Sequence, residues 1–243
     1  MPYNTTDFSI QSNSTFKNIP ILQIDTGSGF SKKSDTALLD QISKGKYLIT
    51  GVSESNPQLS RSGIMTRRLQ LFKDYNLEDK IWPGFDLSRF SFIIDKRLKY
   101  KRRTDLENQI KASIILEVKR PRTKKIFILG CYRQWQGKSP ICRYNSNSVE
   151  DQIFRMKELI KIWDSTCALG PTLILGDINI DQHTPNDPAT REGIKEVYKL
   201  LEDAKDNNNL TLLNRKPTRH RQGNSSSLLD LFLTNIPKKF YNT

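Results

Sequence analysis

Pro171-Thr172-Leu173-Ile174-Leu175-Gly176-Asp177-Ile178-Asn179-Ile180-Asp181 sets the frame for the whole chain. Thr172 to Leu175 is a short apolar, partly β-branched run that breaks off at a glycine and a carboxylate. Such a run reads as a buried strand that delivers Asp177 and Asn179 into a turn at the end of a sheet. A carboxylate there can take a proton from water or bind a metal. An amide two residues on can hold a phosphate oxygen or the carboxylate itself. The same residues also suit a turn in which Asp and Asn merely cap their own backbone. The site reading gains weight because other strands in this chain end the same way.

Outward from that stretch, Val149 to Trp163 precedes it as a helix, with Ile153, Met156, Leu159, Ile160 and Trp163 forming a core-facing stripe. Thr190 to Asp206 follows as a second amphipathic helix carrying Ile194, Val197, Leu200 and Leu201. Ile19 to Asp25, Lys46 to Val52, Phe90 to Ile94, Ala112 to Val118 and Ile126 to Tyr132 alternate or run apolar, as strands do. Leu210 to Leu213 and Leu228 to Leu233 read as short closing strands around the loop Lys216 to Ser225. A helix with Ser34 as N-cap and Ala37, Leu38 and Ile42 on one face follows the first strand, and Ile64 to Tyr75 has near-helical spacing. Residues 1–18 are polar and read as a flexible lead-in, with residues 19–243 as one domain. Apolar strands with helices laid over them make an α/β sandwich the economical architecture.

The 243 residues suffice for a full core, and 36% hydrophobic content is globular. The mean hydropathy is −0.60. A net charge of +13 implies a polyanionic partner, nucleic acid or an anionic membrane surface. Cys131, Cys142 and Cys167 are odd in number and form no Cys-x-x-Cys pair, which points to reduced thiols inside a cell. The N-terminus lacks the apolar region of a secretory signal, and no stretch is long enough to span a membrane.

Asp25, Glu54, Tyr132, Asp177 and Asn179 sit at or just past the ends of apolar strands, and Asp230 lies inside one. Clefts in α/β proteins form where strand ends and their loops converge. Several carboxylates in one cleft repel each other unless a cation compensates. A hard cation such as Mg²⁺, shared with the substrate's phosphate oxygens, fits oxygen ligands with no histidine or cysteine cluster.

These motifs, in this order, resemble the endonuclease/exonuclease/phosphatase superfamily, and within it the endonuclease domains of non-LTR retrotransposons. The matching stretches are Ile21-Leu22-Gln23-Ile24-Asp25, Gly51-Val52-Ser53-Glu54, Gly130-Cys131-Tyr132-Arg133, Leu175-Gly176-Asp177-Ile178-Asn179 and Pro217-Thr218-Arg219, followed by Ser227-Leu228-Leu229-Asp230-Leu231. The resemblance implies a four-layer sandwich of two mainly antiparallel sheets with helices outside, and phosphodiester cleavage aided by Mg²⁺, with Mn²⁺ as a substitute. It implies Glu54 as metal ligand, Asp177 as the residue that orients or deprotonates water, and Asn179 as the residue that positions the scissile phosphate. Tyr132 would donate a hydrogen bond to the phosphate, Asp230 would brace a catalytic histidine, and Thr218 would lie in a DNA-contacting loop with Lys216, Arg219 and Arg221. DNA is the implied partner and element RNA a further one, with no membrane and no small organic cofactor. Nuclear action is implied likewise.

Two departures stand out. Asp25 occupies a position where the family usually has Asn, and a charge there makes it a candidate second metal ligand. The family's final Ser-Asp-His strand is absent, and His183 and His220 lack its context. A truncated domain, weak or inactive as a nuclease, is therefore expected. A non-catalytic nucleic-acid-binding relic and a small-phosphoester phosphatase are the alternatives. Basic residues fall into one cluster over Lys96, Arg97, Lys99, Lys101, Arg102 and Arg103, another over Lys119 to Lys125, and a third over Arg215, Lys216, Arg219 and Arg221. Phosphate-backbone contact is the expected use of all three.

Overall fold

The computed structural model describes residues 4–11, 18–25, 42, 44, 47–53, 74–81, 88–107, 113–119, 124–133, 148–182, 192–218 and 227–241. Within them the strands are β1 (Asn4–Gln11), β2 (Asn18–Asp25), β3 (Ile49–Ser53), β4 (Tyr75–Ile81), β5 (Ser88–Asp95), β6 (Tyr100–Arg102), β7 (Ser113–Val118), β8 (Ile126–Tyr132), β9 (Thr172–Asp177), β10 (Thr211–Leu212), β11 (Asp230–Thr234) and β12 (Phe240–Tyr241). The helices are α1 (Val149–Cys167) and α2 (Glu192–Asn207). One sheet has the order β12-β1-β2-β3-β5-β4 and the other β10-β11-β9-β8-β7-β6. Each is antiparallel except for one central parallel pair, β2 with β3 and β8 with β9.

The sheets pack face to face over Ile21, Ile49, Phe90, Phe92, Ile114, Ile128, Leu173, Leu175 and Phe232. Helices α1 and α2 cover the outer face of the second sheet, where Met156, Leu159, Trp163, Val197 and Leu201 meet Phe127, Leu129 and Ile174. Ile42, at a helical position, joins Leu22, Val52 and Ile93 on the outer face of the first. The arrangement is the four-layer α/β sandwich. Among the described residues no helix is long and apolar enough to cross a membrane.

The expected stripe on α1 is core, with Trp163 and Met156 fully enclosed and Ile153 and Ile160 half-buried beside them. Ser148 caps this helix by accepting a hydrogen bond from Asp151 N at 3.1 Å. Four elements depart from the sequence reading. Residues 1–18 are not wholly a lead-in, because Asn4–Gln11 pairs along its full length with β2. Its polar composition hides it, and its hydrogen-bond partners come from a neighbour whose own apolar residues anchor the sheet. Strands β4, β6 and β12 were likewise unforeseen, being short or polar and defined by the strand they lie beside. The expected helix beginning at Ser34 lies outside the described residues apart from Ile42 and Lys44. That over Ile64 to Tyr75 also lies outside them, except at Asp74 and Tyr75, where Tyr75 opens β4.

The sheets are in close contact at Gly51 of β3 and Gly130 of β8. A Cβ on Gly130 would overlap the Phe90 ring, and one on Gly51 would overlap Leu175 and Gln23. Two glycines facing into the core thus admit a phenyl ring and a leucine between the layers. Overpacking such a site costs roughly 1–3 kcal/mol because the surrounding backbone must shift. Gly130→Ala is expected to lower the unfolding free energy by about that amount in urea titration, and adding Phe90→Leu to restore part of it. An unchanged midpoint for Gly130→Ala would mean that the two layers are not held in this contact.

Candidate functional site

Three adjacent strands end in one row. β8 runs parallel to β9 with Tyr132 opposite Asp177, and β11 runs antiparallel to β9 with Asp230 opposite Asp177. Neighbouring strands lie about 4.8 Å apart, so the two aspartates and the tyrosine form a compact group. Asp177 and Asp230 are each 3% exposed. Asp230 opens β11 and does not lie inside a strand, which is a correction: Leu228 and Leu229 precede the ladder as an irregular approach to it.

The backbone on either side of Asp177 is specialised. Gly176 has φ 141°, and a Cβ there would run into the Cys131 carbonyl. That conformation is open to glycine at no steric cost. Asn179 has φ 52°, a left-handed position that asparagine tolerates. Its backbone N–H donates to Asp177 Oδ1 at 2.7 Å and its Nδ2 donates to the Arg133 carbonyl at 2.9 Å. The Asx turn anticipated as the plain alternative is therefore present. It also fixes one Asp177 oxygen and ties the turn to the end of β8.

Arg133 is the residue sequence reasoning passed over. It closes the Gly130-Cys131-Tyr132-Arg133 motif, and it is 1% exposed. Its Nε donates to the Ile178 carbonyl at 2.6 Å and a terminal nitrogen donates to the Asn179 carbonyl at 3.1 Å. The other terminal nitrogen donates to Gln152 on α1, and its backbone N–H donates to the Asp177 carbonyl at 2.8 Å. One planar guanidinium thus clasps the turn that carries Asn179. Burial pulls its pKa down to about 10, opposed by the nearby Asp177 charge. The Cys131 thiol is pushed up to about 12, first by burial and then by Asp177. A signal existed in the sequence, since a cation directly after an apolar strand must be satisfied by something internal if it folds inward.

The other flank is held by Thr218 and Asn214. Thr218 is buried, and its hydroxyl accepts from Leu229 N at 3.1 Å and Asp230 N at 3.0 Å. Asn214 donates to the Asp230 carbonyl at 2.8 Å and accepts from Phe232 N at 2.9 Å. Asp181 accepts from Leu228 N at 3.0 Å. Lys216 is exposed beside Thr218. Tyr132 is buried and belongs to the inter-sheet core at this end.

The first sheet brings its own strand ends alongside. Asp25 ends β2 in register with Ser53 at the end of β3, and Phe90, in register with Ser53, reaches Gly130 of the facing sheet. Ser53 itself is buried and accepts from Gln23 Nε2 at 2.8 Å. Asp25 is described here only by its backbone. Glu54, Arg219, Arg221, Trp135, His183 and His220 lie outside the described residues.

No group of three or more His, Cys, Asp or Glu among the described residues converges as a metal cluster. The described donors at the rim are Asp177 and Asp230, both carboxylates. That set suits a hard divalent ion, which takes one or two carboxylates and completes its shell with water and phosphate oxygens. It does not suit zinc, which favours nitrogen and sulfur.

Solved structures share this fold. The endonuclease domain of TRAS1, a telomere-specific non-LTR retrotransposon, superposes with a TM-score of 0.56 at 13% identity, over 96% of this chain and 84% of that one. An endonuclease/exonuclease/phosphatase family protein from Leptotrichia buccalis gives 0.52 at 13% identity, over 88% and 87%. D. rerio TDP2, complexed with a single-strand DNA product, gives 0.52 at 9% identity, over 82% and 75%. The fold of this chain is the one those solved structures share. More particularly, residues 140–242 match the family described as endonuclease-reverse transcriptase. No curated protein sequence matches the chain.

Replacing Arg133 by Met would strand the Ile178 and Asn179 carbonyls and Gln152, at roughly 1–3 kcal/mol for each unsatisfied buried group. A loss of about 3–5 kcal/mol in urea unfolding is expected, with Arg133→Lys recovering only part because an ammonium lacks the fork. The Cys131 thiol carries a second expectation. Its ordinary value is 9.0 and its folded value about 12, so the unfolded chain loses this proton first. Its contribution is whole below pH 9 and falls as pH rises towards 12. The stability advantage of the native protein over Cys131→Ala should therefore narrow between pH 8 and pH 10.5, and a constant gap would refute the assignment.

Proposed function

We propose that this rim is the active site of a DNA endonuclease of the retrotransposon type, cleaving phosphodiesters by attack of water. The observation that carries the reading is the placement of Asp230 opposite Asp177, with Tyr132 on the other side and Asn179 clasped in the following turn. In this reading Asp177 orients the attacking water and takes its proton. One of its oxygens is already fixed by the Asn179 amide, so its remaining lone pairs have a set direction.

Asn179 Nδ2 spends one proton on the Arg133 carbonyl and keeps a second for a phosphate oxygen. Thr218 accepts from two amides, which leaves its O–H as a donor. Tyr132 supplies a phenolic donor, and Lys216, Arg219 and Arg221 contact the flanking backbone. Asp230 supports the row as a second carboxylate beside Asp177. Glu54 would hold the divalent ion, Mg²⁺ or Mn²⁺, with Asp25 as a second ligand. When bound, that ion offsets charge on the phosphoryl and leaving oxygens.

The test is nicking of supercoiled plasmid by purified protein. Nicking is expected to require Mg²⁺ or Mn²⁺ and to fall by about 10²–10⁴ in Asp177→Ala, with comparable loss in Glu54→Gln. Nicking that survives Asp177→Ala would move the chemistry elsewhere. Salt-sensitive DNA binding without any nicking would instead mark a non-catalytic binding domain, and phosphate release from a small ester without DNA binding would mark a phosphatase.

A further inference from the structure

Strand direction gives the sandwich two poles. The rim lies where β2, β3, β8 and β9 end and β11 begins. The opposite pole carries the turn Lys96–Lys99 between β5 and β6, Lys119 after β7, Lys124 and Lys125 before β8, and the single 3-10 turn Pro237–Lys239 after β11. Of the third basic cluster, the described residues Arg215 and Lys216 lie at the rim end, next to Thr218.

These segments form one surface. Lys119 N donates to the Lys99 carbonyl at 3.3 Å. Leu98 belongs to the inter-sheet core and Ile236 and Phe240 pack against it, so Lys99 on one side of the pole and Lys238 and Lys239 on the other each lie beside that core. The arginines in this region are engaged. Arg97 pairs with Asp95 at 2.7 Å, Arg102 with Glu78 and Glu107 at 3.1 and 2.9 Å, and Arg103 with Asp105 and Glu117 at 2.7 and 2.8 Å. The lysines point outward. Lys96, Lys99, Lys119, Lys124, Lys238 and Lys239 are all exposed. Lys99, Lys119, Lys238 and Lys239 make no ion pair with a described residue. Besides Asp95 and Glu117, which pair with Arg97, Arg103 and Lys125, the described acids on this side include Asp74, whose carbonyl meets Lys96 N at 3.0 Å, and, on the helix side, Asp164, Asp203 and Asp206. The positive charge is therefore concentrated on the side of the sheets and bordered by acids on the helical layer.

Hydrated lysine charges with a single exposed large apolar side chain among the described residues at this pole, Leu169 at 45% in the turn before β9, suit a phosphate backbone better than a membrane, which takes up several apolar side chains together. Within this patch Leu98 is buried and Ile236 and Phe240 are half-buried. β8 has seven residues, which sets the poles about 20 Å apart at roughly 3.3 Å per residue. Bending a duplex by roughly 40–90° over about 20–30 bp is elastically costly, so wrapping one duplex round from one pole to the other is disfavoured. We propose that the lysine pole is a second nucleic-acid-binding surface, holding a phosphate backbone distinct from the one presented to Asp177. The surface does not depend on catalysis at the rim.

Bridging tests it directly. A bead-bound 25-bp duplex is offered the protein and then a second, labelled duplex. The native protein is expected to retain the second duplex, and K99E/K119E/K238E/K239E to retain at least tenfold less. The salt slope of overall DNA affinity should drop by about 3–4, since each phosphate contact contributes ~0.9. The Asp177→Ala protein should still bridge, so loss of nicking and loss of bridging are separable. Should the charge-reversed protein fail to fold, amine acetylation of the native protein with and without duplex replaces it, with protection of Lys99, Lys119, Lys238 and Lys239 expected. Equal bridging by the charge-reversed protein, or equal acetylation with and without duplex, overturns the proposal. So does loss of binding to phosphatidylserine vesicles with duplex bridging intact, which would make the pole a membrane surface.

Discussion

The rim depends on the register of β9 between its two neighbours. A shift of one residue would turn Asp177 to the opposite face of the sheet and separate it from both Tyr132 and Asp230. The strand is pinned at both ends. At its start, Thr172 N donates to Asn235 Oδ1 at 2.8 Å, Thr234 Oγ1 donates to the Thr172 carbonyl at 2.7 Å, and Asn235 Nδ2 donates to the Gly170 carbonyl at 3.1 Å. At its finish, Gly176 lies hard against the Cys131 carbonyl and Arg133 holds the turn beyond.

Gathering two aspartates and a guanidinium below the surface is costly, because each charge gives up water. Backbone groups offset much of that cost here. Asp177 receives an amide, and Arg133 donates chiefly to carbonyls. Thr218 and Asn214 occupy backbone groups around Asp230 at the start of β11. The result is an Asp177 carboxylate and a following turn whose partners include main-chain atoms. Those partners cannot swing away as a side chain can, which suits a site that must hold a reacting group still.

Charge is divided by residue type as well as by place. In the run from Lys96 to Arg103 the arginines meet Asp95, Glu78, Glu107, Asp105 and Glu117, joining β5, β6 and β7 and reaching across to β4. A planar fork is suited to such bidentate work, whereas a lysine ammonium is more strongly hydrated and stays in water. The arginines of this cluster are thus taken up by carboxylates, and its lysines, away from the rim, are the part that faces water.

Much of this could be read from residue order alone. The run Thr172 to Asp177, the strand Ile126 to Tyr132 and the helix from Val149 all form where their apolar spacing places them, because buried faces must be apolar wherever the chain later packs. The aspartates at 177 and 230 and the tyrosine at 132 were legible as a group because strand ends carry their next residues to a common edge. Sequence alone could not supply β1, β4 or β6, whose polar residues become strand only when a neighbour offers hydrogen bonds. Nor could it tell that Arg133 turns inward while Lys99 turns outward, since both follow apolar runs in a basic chain. That choice belongs to the tertiary structure: only after the layers close is it settled which cation finds carbonyls within reach and which is left facing water.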